Sequence, residues 1–393
     1  MMTIVDRIKN IKNFEYIILS LFLILGIIAR LYKIDNPVAD WHSWRQADTA
    51  SVTRNYVERG FNLLMPTYQD ISSIQTGILN PKGLRLVELP IYNFFHFLLV
   101  KAFPQLSLEV WGRLLSIISS LVSALLVFLI GKRFIGLAGG LLSAFFFLFL
   151  PYNIYFSRVI LPEPLSVSFA LTSVLFFTHF IDKNKASYLY LAGLFLAVSM
   201  LIKPFTFFYI VPIIYLTLRK YSLQTIFKDA KLLIRFLIFI NIAFAPFFLW
   251  RIWINQFPAG IPHFNWAFNG DSIRFKPSFW RWIFGERLGR LILGIWGLLP
   301  FSIGILTTRK GLFNQVFLLG MFLYVATFAT ASVRHDYYQI LIIPAVALAL
   351  GQGSIFMWES KVFSKFIARP LLVFSIILML GIGAYQVKEY YKI

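Results

Sequence analysis

The sequence predicts an all-α polytopic membrane protein with about eleven transmembrane helices. Hydrophobic residues make up 59% of the 393-residue chain and charged residues 14%. A water-soluble domain carries roughly 25% charged residues, so this chain has too few to cover a water-facing surface. Long, nearly uncharged runs recur, among them Tyr16 to Ala29, Leu114 to Ile130 and Leu141 to Leu150; crossing a bilayer takes roughly 20 apolar residues. Basic residues gather in short stretches between such runs, the pattern of cytoplasmic loops.

The first run follows Arg7, Lys9 and Lys12, as a signal peptide would, but only Arg30, Leu31 and Tyr32 come after it. With no small-residue cleavage site there, it reads as an uncleaved anchor. Basic loops at the N-terminus, Lys132-Arg133, Lys183 to Lys185, Arg219 to Arg235, Arg309-Lys310 and Lys361 to Arg369 can all be placed in the cytoplasm. The expected helices are then 14–32, 108–131, 134–151, 164–181, 186–202, 205–218, 233–253, 288–306, 312–331, 337–354 and 370–386, with the N-terminus inside and the C-terminus outside. Leu89 to Phe103 is short and contains Asn93, His96 and Lys101. As a crossing it would invert every later loop, so it reads as an interfacial or re-entrant helix.

The whole of 1–393 is expected to be one membrane-embedded domain, with outer loops at about 33–107 and 152–163 and a third, rich in Trp, Phe and Arg, lying on the surface at about 255–287. Gly136 and Gly140 form a small-xxx-small pair, expected to pack helices. The net charge of +20 would suggest nucleic acid in a soluble protein. Scattered between apolar spans, it points instead to anionic lipid headgroups or phosphates, and no nucleic-acid partner is expected. Cysteine is absent, which excludes disulfides, thiolate metal sites and a cysteine nucleophile. There is no phosphate-binding P-loop and no dinucleotide fingerprint.

Long outer loops on a membrane scaffold are where chemistry concentrates. The first contains Asp40-Trp41-His42-Ser43-Trp44-Arg45-Gln46-Ala47-Asp48-Thr49-Ala50 and leads into an amphipathic helix. Asp48 sits where that helix is expected to start and reads equally as an N-cap; Asp40 reads equally as a solvated loop residue. Glu88 precedes Leu89-Pro90, where a helix dipole favours a carboxylate. Glu163 lies between Pro162 and Pro164 at the mouth of a span, where an ionisable group is a functional candidate by default. Arg158 is near enough in sequence to be its ion-pair partner. Arg45, Arg158, Lys203 and Arg334, with His335 and Tyr338, offer several polar and positive groups near one leaflet, although each cation alone could be snorkelling to the interface. Asp40-x-His42 has weak metal-ligand spacing, and no metal site is expected.

Trp44-Arg45-Gln46-Ala47-Asp48-Thr49-Ala50, Glu88-Leu89-Pro90, Trp111-Gly112-Arg113-Leu114-Leu115-Ser116, Pro162-Glu163-Pro164 and His335-Asp336-Tyr337-Tyr338 together resemble the GT-C fold of polyprenyl-phosphate-sugar-dependent glycosyltransferases. The order of one span, a large outer loop with an acidic motif, two spans and a second acidic motif is similar to that fold. The closer likeness is to the bacterial family-39-like branch, near protein O-mannosyltransferases and lipid A aminoarabinose transferases, from Leu21 to about Gly351. Many relatives carry an Asp-Glu pair where this sequence has Arg45-Gln46, so the expected base moves to Asp48 or Asp40.

The resemblance implies transfer of a sugar from a polyprenyl phosphate to a hydroxyl of a glycan, lipid or protein at the outer membrane face, with inversion. Asp48 or Asp40 would take the acceptor's proton, while Glu88 and Glu163 would bind hydroxyls. Arg45, Arg158, Lys203 and Arg334, with His335 and Tyr338, would stabilise the departing phosphate. Protein cations can neutralise a lipid phosphate, so no cofactor is expected, although a divalent metal is compatible with the reading. The competing class is a transporter or flippase for an anionic lipid-linked substrate. No matched pair of broken helices supports it, and the acidic motifs cluster at one face.

Overall fold

The computed structural model describes residues 14–393; Arg7, Lys9 and Lys12, assigned above to the cytoplasm, lie outside the described residues. These residues form an all-helical bundle, in which the only β-type pairing is a single bridge between Thr67 and Leu84. In order, the chain runs through α1 (Phe14–Leu31), α2 (Ser43–Arg59), α3 (Ile91–Ala102), α4 (Leu108–Phe134), α5 (Leu137–Phe149), α6 (Pro151–Phe156), α7 (Glu163–Lys183) and α8 (Ala186–Ile202). It continues through α9 (Ile210–Lys220), α10 (Leu223–Lys228), α11 (Ala230–Ile254), α12 (Leu298–Leu306), α13 (Phe313–Thr327), α14 (Ala329–Arg334), α15 (Ile343–Glu359) and α16 (Lys365–Val387).

Each of the eleven expected spans meets a helix, but among the described residues only six helices are both long and apolar enough to cross a membrane. The others are shorter or broken. The expected 205–218 helix divides into a 3-10 turn, Pro204–Tyr209, and α9. The expected 288–306 helix is a wide π-helical segment, Trp282–Ile292, separated from α12 where Gly294 and Ile295 turn to φ +49° and +63°. The expected 312–331 helix divides at Phe328, between α13 and α14. Apolarity alone does not register these breaks, because the breaking residues are themselves apolar.

Ile343–Glu359 is the axis of the bundle; within Asp336–Glu359, 94% of an 18-residue apolar stretch is buried, against 17% of the corresponding stretches of α1 and α11. Glycines let neighbours approach this axis closely. A side chain at Gly304 would strike the Ala349 carbonyl, and one at Gly353 the Pro300 carbonyl, so α12 and α15 cross almost backbone to backbone. Gly140 does the same between α5 and α4, whereas Gly136 ends the turn before α5 at φ +108° and packs no helix. The expected Gly136/Gly140 pair is thus half a packing contact and half a turn. Gln352 on the axis accepts from Asn314 Nδ2 at 2.6 Å, one of the polar links that hold helices together where water is absent.

At 12 residues, α3 reaches about 18 Å, well short of the ~30 Å hydrocarbon core. Its polar residues face protein: Asn93 Nδ2 donates to the Thr49 carbonyl at 2.7 Å and to Thr53 Oγ1 at 3.0 Å. The His96 ring bridges Thr53 Oγ1 at 3.0 Å and the Leu108 carbonyl at 2.7 Å. These bonds fasten α3 across α2 and the start of α4. At one end of the bundle Arg133 meets Asp182, Arg309 meets Glu359, and Arg219 donates to the Lys310 carbonyl. Glu88, Glu163, Lys203 and His335 gather at the other. The 255–287 segment folds onto the 33–107 segment: Leu86 N donates to the Gly260 carbonyl at 2.8 Å, and His263 N to the Gln75 carbonyl at 2.9 Å.

Candidate functional site

The site begins with a strained residue. His42 adopts the left-handed conformation, φ 58° and ψ 33°, which is uncommon for a non-glycine residue. It turns the chain so that α2 starts at Ser43. Asp48 is therefore inside the helix and not its N-cap. From Arg45 onward, positions three, four and seven residues apart share a face, and Arg45, Asp48, Thr49 and Val52 line one wall of a narrow cleft. The opposite wall is the extended segment Arg85 to Pro90, pinned by Leu86 N on Gly260 and by Leu89 N on the Leu201 carbonyl at 3.0 Å. Tyr92, Asn93, Pro162 and Ile202 complete the lining.

Charges in and beside this cleft form a chain. Arg45 Nη2 is 2.5 Å from Glu88 Oε1. The same oxygen takes Lys203 Nζ at 3.1 Å, and Lys203 reaches Glu163 Oε1 at 2.6 Å. Neither Glu163 oxygen has a hydrogen-bond partner of good geometry among the described residues, so the ammonium is its charge partner by proximity. Arg85 Nη2 lies 3.0 Å from Asp48 Oδ2, which also accepts from Gln75 Nε2 at 3.3 Å. Three cations thus face three carboxylates, and the resting cleft is electrically neutral. Burial alone would raise the Glu88 carboxyl, but Arg45 and Lys203 outweigh it and hold its pKa down to about 2. Burial alone would lower the Lys203 ammonium, but Glu163 and Glu88 outweigh it and raise it.

The four acidic residues differ in access. The side chains of Asp48 and Glu88 keep 17% and 13% of their surface open, against 1% for Asp40 and none for Glu163. Asp40 is buried, not solvated: it accepts from Gln46 Nε2 at 2.7 Å and faces Arg158 Nη1 at 3.7 Å. Arg158 is consequently the partner of Asp40 and not of Glu163. Its Nη2 donates to the Lys33 carbonyl at 2.5 Å, and its guanidinium lies over the Tyr391 ring. This places it among the joints of the 33–107 segment, outside the cleft lining. The Arg334 side chain is 56% exposed and pairs with Asp271 at 3.3 Å. Tyr338 packs its ring against Lys203, 5.2 Å from the ammonium.

Sequence reasoning passed over two groups. Arg85 and Gln75 come from an irregular loop with no periodicity to single them out. The second group surrounds Asp336: His42 Nε2 at 2.5 Å, Tyr390 OH at 2.6 Å, Trp41 Nε1 at 3.0 Å and Arg287 Nη1 at 3.7 Å. His42 thus turns to Asp336, away from Asp40, and the Asp40-x-His42 pair does not converge. His335 sits between Trp44 and Trp266, at ring distances of 5.5 and 5.7 Å. Burial, with neighbouring His42, lowers its pKa to about 4, which leaves the imidazole neutral at pH 7.

A family model for dolichyl-phosphate-mannose-protein mannosyltransferases matches residues 90–250. No curated protein sequence matches the chain significantly. Among solved structures the fold is similar to ArnT from Cupriavidus metallidurans bound to undecaprenyl phosphate, with a TM-score of 0.60 at 12% identity over 95% of this chain and 72% of that one. It is also similar to the archaeal oligosaccharyltransferase AglB from Archaeoglobus fulgidus, in complex with an inhibitory peptide and a dolichol-phosphate. There the TM-score is 0.57 at 11% identity, over 96% of this chain and 56% of AglB.

Proposed function

We propose that this chain, which has the GT-C fold and is related over residues 90–250 to protein mannosyltransferases, moves a sugar from a polyprenyl phosphate to an acceptor hydroxyl. Inversion at the anomeric carbon and a carboxylate base, Asp48, are part of the reading. The observation that carries it is the neutral chain of three cations and three carboxylates, with Asp48 the least enclosed of the acids. The structurally similar ArnT, bound to undecaprenyl phosphate, and AglB, in complex with a dolichol-phosphate, support the class of donor.

In the step itself, the acceptor hydroxyl gives its proton to Asp48 as its oxygen bonds to the anomeric carbon. The bond from that carbon to the phosphate oxygen breaks, and the phosphate leaves with the electron pair. The donor is a phosphodiester of one negative charge, and the departing lipid phosphate carries two when fully ionised. Asp48 loses one charge as the phosphate gains one. Arg85, paired with Asp48 in the resting state, is thereby released to the phosphate when charge develops there, the preorganised electrostatic arrangement that favours a transition state. Glu88 is held ionised by Arg45 and Lys203, making it a poor base, so Glu88 and Glu163 serve instead to fix the cations and bind sugar or acceptor hydroxyls. No divalent metal is required by this route.

The cleft is proposed to open at the outer face of the cell membrane, with the basic loops in the cytoplasm. Mass spectrometry of lipids that co-purify with the protein tests the reading: polyprenyl phosphate and its glycosylated form are expected. Bulk phospholipid alone, combined with an unchanged surface-glycan profile after deletion of the gene, would sink it.

A further inference from the structure

The end of the bundle opposite the cleft carries a second concavity of about 490 Å³, within the range of small-ligand pockets, roughly 300–1,000 Å³. Its lining divides by chemistry. Phe134, Ile181 and Leu216 are apolar, while Arg133, Arg219, Lys220 and Lys310 are cationic. Phe134 is held rigid by stacking on Phe313 at 3.9 Å with the rings 3° apart. Arg219 is fixed by donating to the Lys310 carbonyl at 2.9 Å, which brings α9 and the α12–α13 connection together at the pocket.

Four cations face one nearby carboxylate, Asp182, and Arg133 already claims it through two bonds. Arg309, just outside, is likewise engaged by Glu359. Lys220 and Lys310 have no carboxylate partner among the described residues. The pocket therefore holds a net excess of three positive charges (four cations less Asp182), unlike the neutral cleft at the other end.

We propose that this pocket binds the headgroup of an anionic phospholipid, its phosphodiester on Lys220, Lys310 and Arg219 and the first acyl carbons against Leu216, Ile181 and Phe134. The apolar residues favour a lipid over a free phosphate ion, because a soluble anion gains nothing from them. A lipid held there joins α4, α7, α9 and the α12–α13 connection at one end of the bundle. The assignment does not depend on the reaction proposed above.

The test is native mass spectrometry of the purified full-length protein with added phosphatidylglycerol, with phosphatidylethanolamine as the zwitterionic comparison and inorganic phosphate as the soluble one. Phosphatidylglycerol should bind at least tenfold more tightly than phosphatidylethanolamine. Lys220→Ala with Lys310→Ala should weaken it about 30-fold, or about 2 kcal/mol for two headgroup cations. Both lysines are exposed, so the double variant should keep the wild-type melting temperature without lipid. Lys220→Arg with Lys310→Arg should restore binding, and Lys82→Ala, at the other end, should leave it unchanged. Equal binding of the two lipids, or full binding by the double alanine variant, overturns the site. Displacement of phosphatidylglycerol by millimolar inorganic phosphate overturns the lipid assignment.

Discussion

Lys203 lies 2.6 Å from Glu163, and the two come from opposite ends of the α7–α8 hairpin. The ammonium is buried and shared with Glu88 at 3.1 Å. Removing either partner has different consequences. Glu163→Gln leaves Lys203 paired with Glu88, so the variant should insert and fold normally but lose most transfer. Lys203→Ala leaves buried Glu163 without a charge partner, while Glu88 keeps Arg45, and should cost about 3–5 kcal/mol, as breaking a buried pair does. Melting temperature and product formation, measured on both, separate the cases; full turnover by Glu163→Gln would remove Glu163 from the site.

The two first-loop aspartates should also part company. Asp48→Asn should lower product formation by about 10²–10⁴-fold, the usual contribution of a positioned base, while the donor lipid still co-purifies. Asp40→Asn leaves Arg158 buried without a counter-charge, so its main effect should be a lower melting temperature, with a smaller loss of rate per folded molecule. The reverse order would move the base to Asp40.

Glu88 makes an acid-side prediction. Its pKa is about 2 in the folded protein against an ordinary 4.5. Its pairing therefore stabilises the fold fully above about pH 4.5 and loses that contribution as pH falls toward 2. Thermal unfolding followed from pH 6 to 3 should show a steeper decline for the wild type than for Glu88→Gln. Parallel curves would mean that Glu88 is not ion-paired in solution.

Activity should survive extensive chelation, since protein cations balance the charge that moves from Asp48 to the phosphate. A strict, reversible requirement for added magnesium or manganese would contradict this.

Sidedness can be read directly, because the chain has no cysteine. Ile74→Cys and Arg334→Cys, both at well-exposed positions near the cleft, should react with an impermeant thiol reagent on intact cells. Lys183→Cys, Lys310→Cys and Val362→Cys should react only after the membrane is opened. Labelling at 74 without labelling at 334 would place the acidic motifs on opposite sides and end the single-site reading.

Much of the scaffold was legible because lipid imposes a coarse code. Long apolar runs must be helices, and α3 could be set apart because Asn93, His96 and Lys101 interrupt a run that is already too short. What escaped was local backbone geometry and distant pairing. The start of α2 depends on His42 in a left-handed turn, which no N-cap residue announces, so the helix begins at Ser43, five residues before Asp48. Arg158 and Glu163 are five residues apart and were natural partners on paper, yet Pro162 and the turn before α7 send them in different directions. Asp336 lay inside a motif already singled out, but its partners Trp41, His42 and Tyr390 are separated from it by 295, 294 and 54 residues, beyond the reach of any spacing rule.

The contacts of Tyr390 and Tyr391 bear on when the protein can finish folding. Trp41 is stacked on Tyr390 at 4.8 Å and donates its backbone N–H to the Tyr390 carbonyl, and the Lys33 ammonium meets the Tyr391 carbonyl across 358 residues of sequence. A ribosome adds roughly 5–20 residues each second, so the loop entering α2 waits tens of seconds after its own synthesis for the segment that locks it. During that interval Arg158 lacks its Tyr391 partner, Trp41 and His42 wait also for Asp336, and the loop entering α2 is at its most open to proteases and chaperones. Pulse-chase proteolysis would show protection of this loop arising only after α16 has entered the membrane.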